Sequence, residues 1–165
     1  MTRSLSVLAT ALLLGSSTAF AGDVQMAGGT VRFSTPDTWL SIMQTDGDPE
    51  VQVFQVPDPS PSASTMARVT VTVKQVSNLS AFNQYVDGFV VRAKGMKGYA
   101  AGKSATANDF LYTAEESGVK VSYRERYWFA GNRAIQLRCA RPSGTAAWNA
   151  AFDRGCDDVA ARMTL

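Results

Sequence analysis

Histidine is missing from all 165 residues, and cysteine occurs only twice. The first absence excludes Ser-His-Asp and Cys-His catalysis, His-ligated zinc and the commonest general base near neutral pH. The chain also lacks any large excess of one charge: 16 Lys and Arg stand against 14 Asp and Glu. A nucleic-acid-binding domain would want a strongly basic balance, so no nucleic acid is expected as a partner. Beyond the N-terminal region no stretch is apolar enough to cross a bilayer, which takes about 20 residues, and no membrane span is expected in the mature chain.

The N-terminus itself reads MTRSLSVLATALLLGSSTAFAGD. Arg3 is a short positive region, Leu5 to Leu14 an apolar one, and Ala19-Phe20-Ala21 a cleavage site of the A-x-A kind. That order predicts a signal peptide over residues 1–21 and one α+β domain over residues 22–165, a comfortable length for a single core. No cysteine sits at the cleavage point to carry a lipid. The mature protein is expected in a bacterial periplasm or outside the cell, soluble after cleavage.

Export explains the cysteines. In an oxidising compartment a pair usually becomes a disulfide, and Cys139 and Cys156 lack the C-x-x-C spacing of a redox-active pair. A structural bond is expected, contributing about 3 kcal/mol in the chain-entropy model.

Alternation of apolar and polar residues predicts strands over 30–34, 39–43, 50–56 and 68–76, a weak one within 99–104, and three more over 109–114, 119–129 and 133–140. Pro57 to Thr65, with three prolines, reads as an exposed loop. Ala130-Gly131-Asn132 is a hairpin signal. After Ser80, taken as an N-cap, Phe82, Tyr85, Val86, Phe89, Val90 and Ala93 share a helical stripe that ends at Gly95. A second helix is expected from near Thr145, with Trp148, Phe152, Cys156, Val159 and Met163 inside one arc of about 80°. Cys139 alternates in phase with Ile135 and Leu137. The disulfide would therefore staple the inner face of the last helix to the inner face of the last strand. Tight connections require antiparallel pairing, so the fold class is α+β, an antiparallel sheet packed with two main helices.

Motifs with apparent chemistry fail on inspection. Gly98 to Ser104 (GYAAGKS) lacks the first glycine of a phosphate-binding loop, its place being taken by Lys97. Ser117 to Lys120 matches the S-x-x-K pattern of penicillin-binding enzymes but lies at a strand entry instead of a helix start. Asp46, Asp48 and Glu50 are interrupted by Pro49 and do not form a calcium ladder. Glu115 and Glu116 are neighbours in sequence and not two carboxylates facing one bond, and Asn78-Leu79-Ser80 is a sequon only in a eukaryotic pathway. No catalytic residue, metal site or cofactor is expected.

What remains is a surface. Lys120, Ser122, Arg124, Arg126 and Trp128 alternate with the apolar residues of their strand, and Glu125 is an exception on the apolar side. Gln136 and Arg138 on the next strand, with Arg68 and Lys74 on an earlier one, would extend the same polar face. Five strands give a sheet about 24 Å wide, room for both helices on the apolar side, and antiparallel sheets often leave the other side wet. A basic, tryptophan-bearing face suits an acidic protein partner.

Val31 to Ile42 (VRFSTPDTWLSI) resembles the opening of the PsbP-like superfamily, and Asn78 to Val90 (NLSAFNQYVDGFV) resembles its first helix after a valine-rich strand. The closing hairpin and long last helix agree in order. The resemblance implies an antiparallel sheet with helices often on both sides, which would leave the basic face only partly wet. It also implies a non-enzymatic role as an extrinsic subunit, adaptor or envelope protein; some exported relatives look like immunity proteins or secretion accessories. The expected function is thus a periplasmic protein-binding module, most concretely an immunity-type protein neutralising a toxin or a secretion or envelope accessory. The alternative is a carrier or sensor of a small ligand.

Overall fold

The computed structural model describes residues 20–58, 66–104, 106–143 and 146–165. These form β1 (Phe20–Met26), β2 (Val31–Pro36), β3 (Leu40–Thr45), β4 (Glu50–Gln55), β5 (Arg68–Gln75), α1 (Leu79–Lys94), β6 (Ala100–Ala101), β7 (Asp109–Glu116), β8 (Val119–Ala130), β9 (Arg133–Pro142) and α2 (Ala146–Arg162). Seven strands make one antiparallel sheet in the order β3-β4-β5-β9-β8-β7-β6, and β1 pairs with β2 in a separate hairpin. The fold is α+β, as the alternation and tight turns require. The signal peptide falls mostly outside the described residues, although cleavage after Ala21 would remove the first two residues of β1. Most of the Pro57 to Thr65 loop and the proposed helix start at Thr145 also lie outside them.

The turns follow local chemistry. Ala130 faces Arg133 across a two-residue connection, Gly131 and Asn132, both with positive φ (53° and 57°). This is the backbone that matches the right-handed twist of paired strands and that Gly and Asn adopt most readily. The N-cap of α1 is Asn78, not Ser80: its side chain accepts from the Ala81 amide at 3.0 Å. An Asn oxygen reaches that orphan amide at little cost, and Ser80 is already inside the helix. Arg92 and Lys94 stand in the last turn, where cations suit the helix dipole.

The helices do not share one side of the sheet. Phe82, Val86 and Ala93 of α1 pack on one face against Tyr112, Tyr123, Tyr127 and Ala134. Phe152, Cys156 and Val159 of α2, with Met26, Val31 and Phe33 of the β1–β2 hairpin, pack on the other face against Val69, Val71, Val73, Ile135 and Leu137. Each fully buried Val or Leu contributes about 1.5–3 kcal/mol relative to exposure, so neither face is spare. The expected wet face is corrected accordingly. The sheet has seven strands rather than five, and apolar residues line both faces because β8 and β9 alternate out of phase with each other.

Cys139 and Cys156 are bonded, with Cα atoms 6.4 Å apart. Around this link α2 makes two further polar ties: Asp153 receives a two-pronged grip from Arg141 at 2.8 Å, and Asp157 meets Arg124 at 2.6 Å and also Arg126. Trp39 lies so close to α2 that a Cβ added at Gly155 would stand 2.9 Å from its ring. Beyond α2, Thr164 exchanges two backbone hydrogen bonds with Arg32 of β2.

Candidate functional site

Register decides where the expected basic residues go. Directly opposed residues of an antiparallel pair share a face. Arg124 faces Cys139, Arg126 faces Leu137 and Trp128 faces Ile135, which puts all three on the α2 side. Glu125 faces Arg138 and Tyr127 faces Gln136, on the α1 side, where Thr70 opposite Arg138 brings Arg68 and Lys74 as well. The seven candidates are therefore split by the sheet. Polarity alone had grouped them, but β9 carries its apolar residues on the face where β8 carries its charges.

On the α2 side an open groove of about 470 Å³ runs between α2 and the β7–β8 strands, lined by Thr106, Asn108, Asp109, Arg124, Arg126, Trp128, Asp157, Ala160 and Ala161. Arg124 donates to both Asp109 oxygens, at 3.2 and 2.8 Å, and Arg126 approaches the same carboxylate at 3.5 Å. Asp157 completes the quartet from α2. Burial alone would raise the Asp109 carboxyl, but hydrogen bonding and charge from Arg124, then Arg126, outweigh it and hold it below the usual carboxylate range. The hydrogen bonds that Arg124 donates to Asp109 in turn raise its own guanidinium. Two cations and two anions compensate each other here, so the groove is not a basic strip. Lys120 stays exposed at the start of the strand.

The α1 side holds a different cluster. Glu125, 4% exposed, accepts from the Tyr112 hydroxyl at 2.6 Å, from Gln136 at 3.2 Å and from the Tyr127 hydroxyl. Arg138 approaches it to 3.1 Å, close enough for an ion pair though not aligned as a hydrogen bond, and lies over the Tyr123 ring. Tyr123 donates to Glu116 at 2.6 Å, and Arg68 reaches the same oxygen at 2.7 Å. Arg68 thereby holds the Glu116 carboxyl below its ordinary value. Burial, then the Glu125 charge, pushes the Tyr112 and Tyr127 hydroxyls far up. Glu125 was the one acid breaking the apolar alternation, and it is the hub of this network.

The acidic turn has structural employment. Asp48 accepts from the Gln75 amide at 2.9 Å and pairs with Lys74 at 3.6 Å, and Glu50 accepts from the Ala27 amide at 2.6 Å. Among the described residues no three His, Cys, Asp or Glu side chains gather as a metal would need.

Sequence reasoning missed the opposite end of the sheet. β3 is an edge, and all six of its residues are exposed. Leu40, Ile42 and Met43 are 55%, 47% and 48% exposed, the largest apolar group left in the open on one strand. Beside β3, between it and the β1–β2 hairpin, lies a hollow of about 400 Å³ lined among others by Asp23, Gln25, Thr35, Trp39, Ser41, Gln44, Gln52 and Phe54. The signal available in the sequence was that LSIMQ puts apolar residues on both faces of a short strand and no charge on either.

No family model and no curated protein matches the chain. Among solved structures it is similar to LpqN of Mycobacterium tuberculosis, described as involved in cell envelope biogenesis, with a TM-score of 0.54 and 10% identity over 87% of this chain and 88% of LpqN. A protein from Bacteroides thetaiotaomicron matches at a TM-score of 0.49 and 15% identity, over 86% of this chain and 47% of its own, so this chain spans about half of it. At 10% identity the likeness to LpqN is one of fold alone.

Proposed function

We propose that this is an exported accessory protein of the cell envelope that works by holding another protein and not by catalysis. The observation that carries the reading is the contrast between its two kinds of surface. The charged side chains of the α2 groove and the α1-side cluster are closed onto one another, while the uncharged edge strand β3 leaves Leu40, Ile42 and Met43 exposed. Groups so engaged are poorly placed to exchange protons with a substrate, and an exposed apolar strip suits contact with another chain.

Two further points support it. The N-terminal pattern is that of an exported chain, and a formed disulfide suits an oxidising compartment. LpqN, whose fold the chain shares, is described as involved in cell envelope biogenesis, and the sequence resemblance to the PsbP-like superfamily implies an adaptor or envelope role. The groove volume also falls within the range of small-ligand sites, about 300–1,000 Å³, which keeps the carrier reading as the alternative.

The test is affinity capture from envelope extract by the disulfide-bonded chain, at low and at high salt, with native mass spectrometry of the bait. A stoichiometric protein complex that survives high salt is the expected result, because an uncharged strip is not screened. A co-purifying small molecule with no protein would favour the carrier. Turnover abolished by changing one acid, such as Asp109→Asn, would overturn the proposal.

A further inference from the structure

We infer that β3 is a docking edge for an extended, uncharged segment of a partner protein, which adds to the sheet as a further strand and places a side chain in the hollow beside Trp39. This rests on the protein-binding reading above and goes beyond it by naming the surface and the form of the partner.

The backbone argument comes first. Among the described residues β3 pairs only with β4, so its outer side presents unpaired amide and carbonyl groups. Proteins protect such edges with lysine, proline, shortness or a bulge, and of these β3 has only the bulge between Ser41 and Met43. The sequence LSIMQT contains no charge and no proline, and its six residues match an ordinary strand. The opposite edge of the same sheet, β6, is two residues long. One edge is blunted and the other is left open.

The side chains then describe the guest. Leu40 and Met43 pair with Gln55 and Val53, on the α1 side of the sheet, and remain exposed there. Ser41 and Gln44 pair with Phe54 and Gln52 and line the hollow on the other side, over Trp39 and Phe54. An incoming strand would thus meet apolar contacts on one face and a polar-walled recess on the other. Main-chain bonds would supply affinity and the recess specificity.

A second copy of this chain fits less well. The register breaks between Ser41 and Met43, a bulge near the middle of the strand. In a twofold pair two such bulges would oppose each other and interrupt the ladder from both sides. The strip is also small: about 20 Å long and about 10 Å wide, it covers about 200 Å², against roughly 800 Å² per partner in a stable dimer. A flexible segment that follows the bulge needs neither symmetry nor area.

Photo-crosslinking residues placed singly at Met43, at Asp157 in the α2 groove and at Val91 on the outer side of α1 test this in envelope extract. The expected result is a product from Met43 alone, mapping to an uncharged stretch of another protein. A synthetic peptide of that stretch should slow amide exchange of residues 40–45 at least tenfold, and Leu40→Lys with Met43→Lys should abolish the effect in a chain whose circular dichroism is unchanged. Products only from Asp157 or Val91 would overturn the edge while leaving the protein-binding reading intact. A product from Met43 joining two copies of this chain would overturn the choice of partner. No product from any of the three positions would overturn both.

Discussion

Gly155 shows how a single position inverts the usual expectation. In a helix interior alanine is favoured over glycine by about 1 kcal/mol. Here the new methyl would stand 2.9 Å from the Trp39 ring, which is itself buried, and overpacking of this kind costs about 1–3 kcal/mol. Gly155→Ala is therefore expected to lower the unfolding free energy by about 1 kcal/mol in urea titration. In a Trp39→Phe background the same change should become neutral or stabilising, a non-additivity that the contact requires. Glu125 makes the complementary point: its identity as an acid inside an apolar alternation was legible, but its partners were not. Tyr112, Gln136 and Arg138 reach it from two other strands.

Among the elements, α2 is the one whose attachment was almost fully foreseeable. Two periodicities, 3.6 for the helix and 2 for β9, independently turned Cys156 and Cys139 inward, and the bond forms between them. Replacing both cysteines by serine should cost about 3 kcal/mol of stability, read from urea midpoints at constant slope. The Arg141–Asp153 and Asp157 contacts should keep the helix docked, so circular dichroism would change little while amide exchange in 146–162 accelerates. By contrast β1 went unforeseen: Val24 and Met26 alternate with Asp23 and Gln25, but the run is short and begins inside the A-x-A site. The hairpin partner β2 supplies the pattern for both.

For the whole molecule, the buried ion pairs and tyrosines bound a pH window of stability. Asp109 and Glu116 sit below the usual carboxylate range when folded. Their contribution is present above an unfolded value of about 4 and is lost as pH falls through the folded values. Tyr85 and Tyr123 are pushed up to about 12, by burial first, so their contribution is present below about pH 10 and is lost as pH rises through about 12. Urea midpoints measured against pH should form a plateau between about 4 and 10 that falls at both ends. Asp109→Asn should lower the plateau and flatten the acid limb; an acid limb of unchanged slope would show that the groove carboxylate is not part of it.

Local order was largely determined by the sequence alone: where the strands after β1 run, where α1 and α2 lie, which turn closes the last hairpin, and which cysteines meet. Each of these depends on residues near in the chain or on a periodicity within one element. Only the tertiary structure decided which face each charge occupies and which strand lies at the edge. Facing depends on the register between strands, and a slip of one residue turns every side chain to the other side. Arg124 and Arg138 look alike in sequence, yet one meets Asp109 beside α2 and the other meets Glu125 beneath α1. The sequence marks a strand over 39–43, but only the strand order places its Leu40, Ile42 and Met43 at the open end of the sheet.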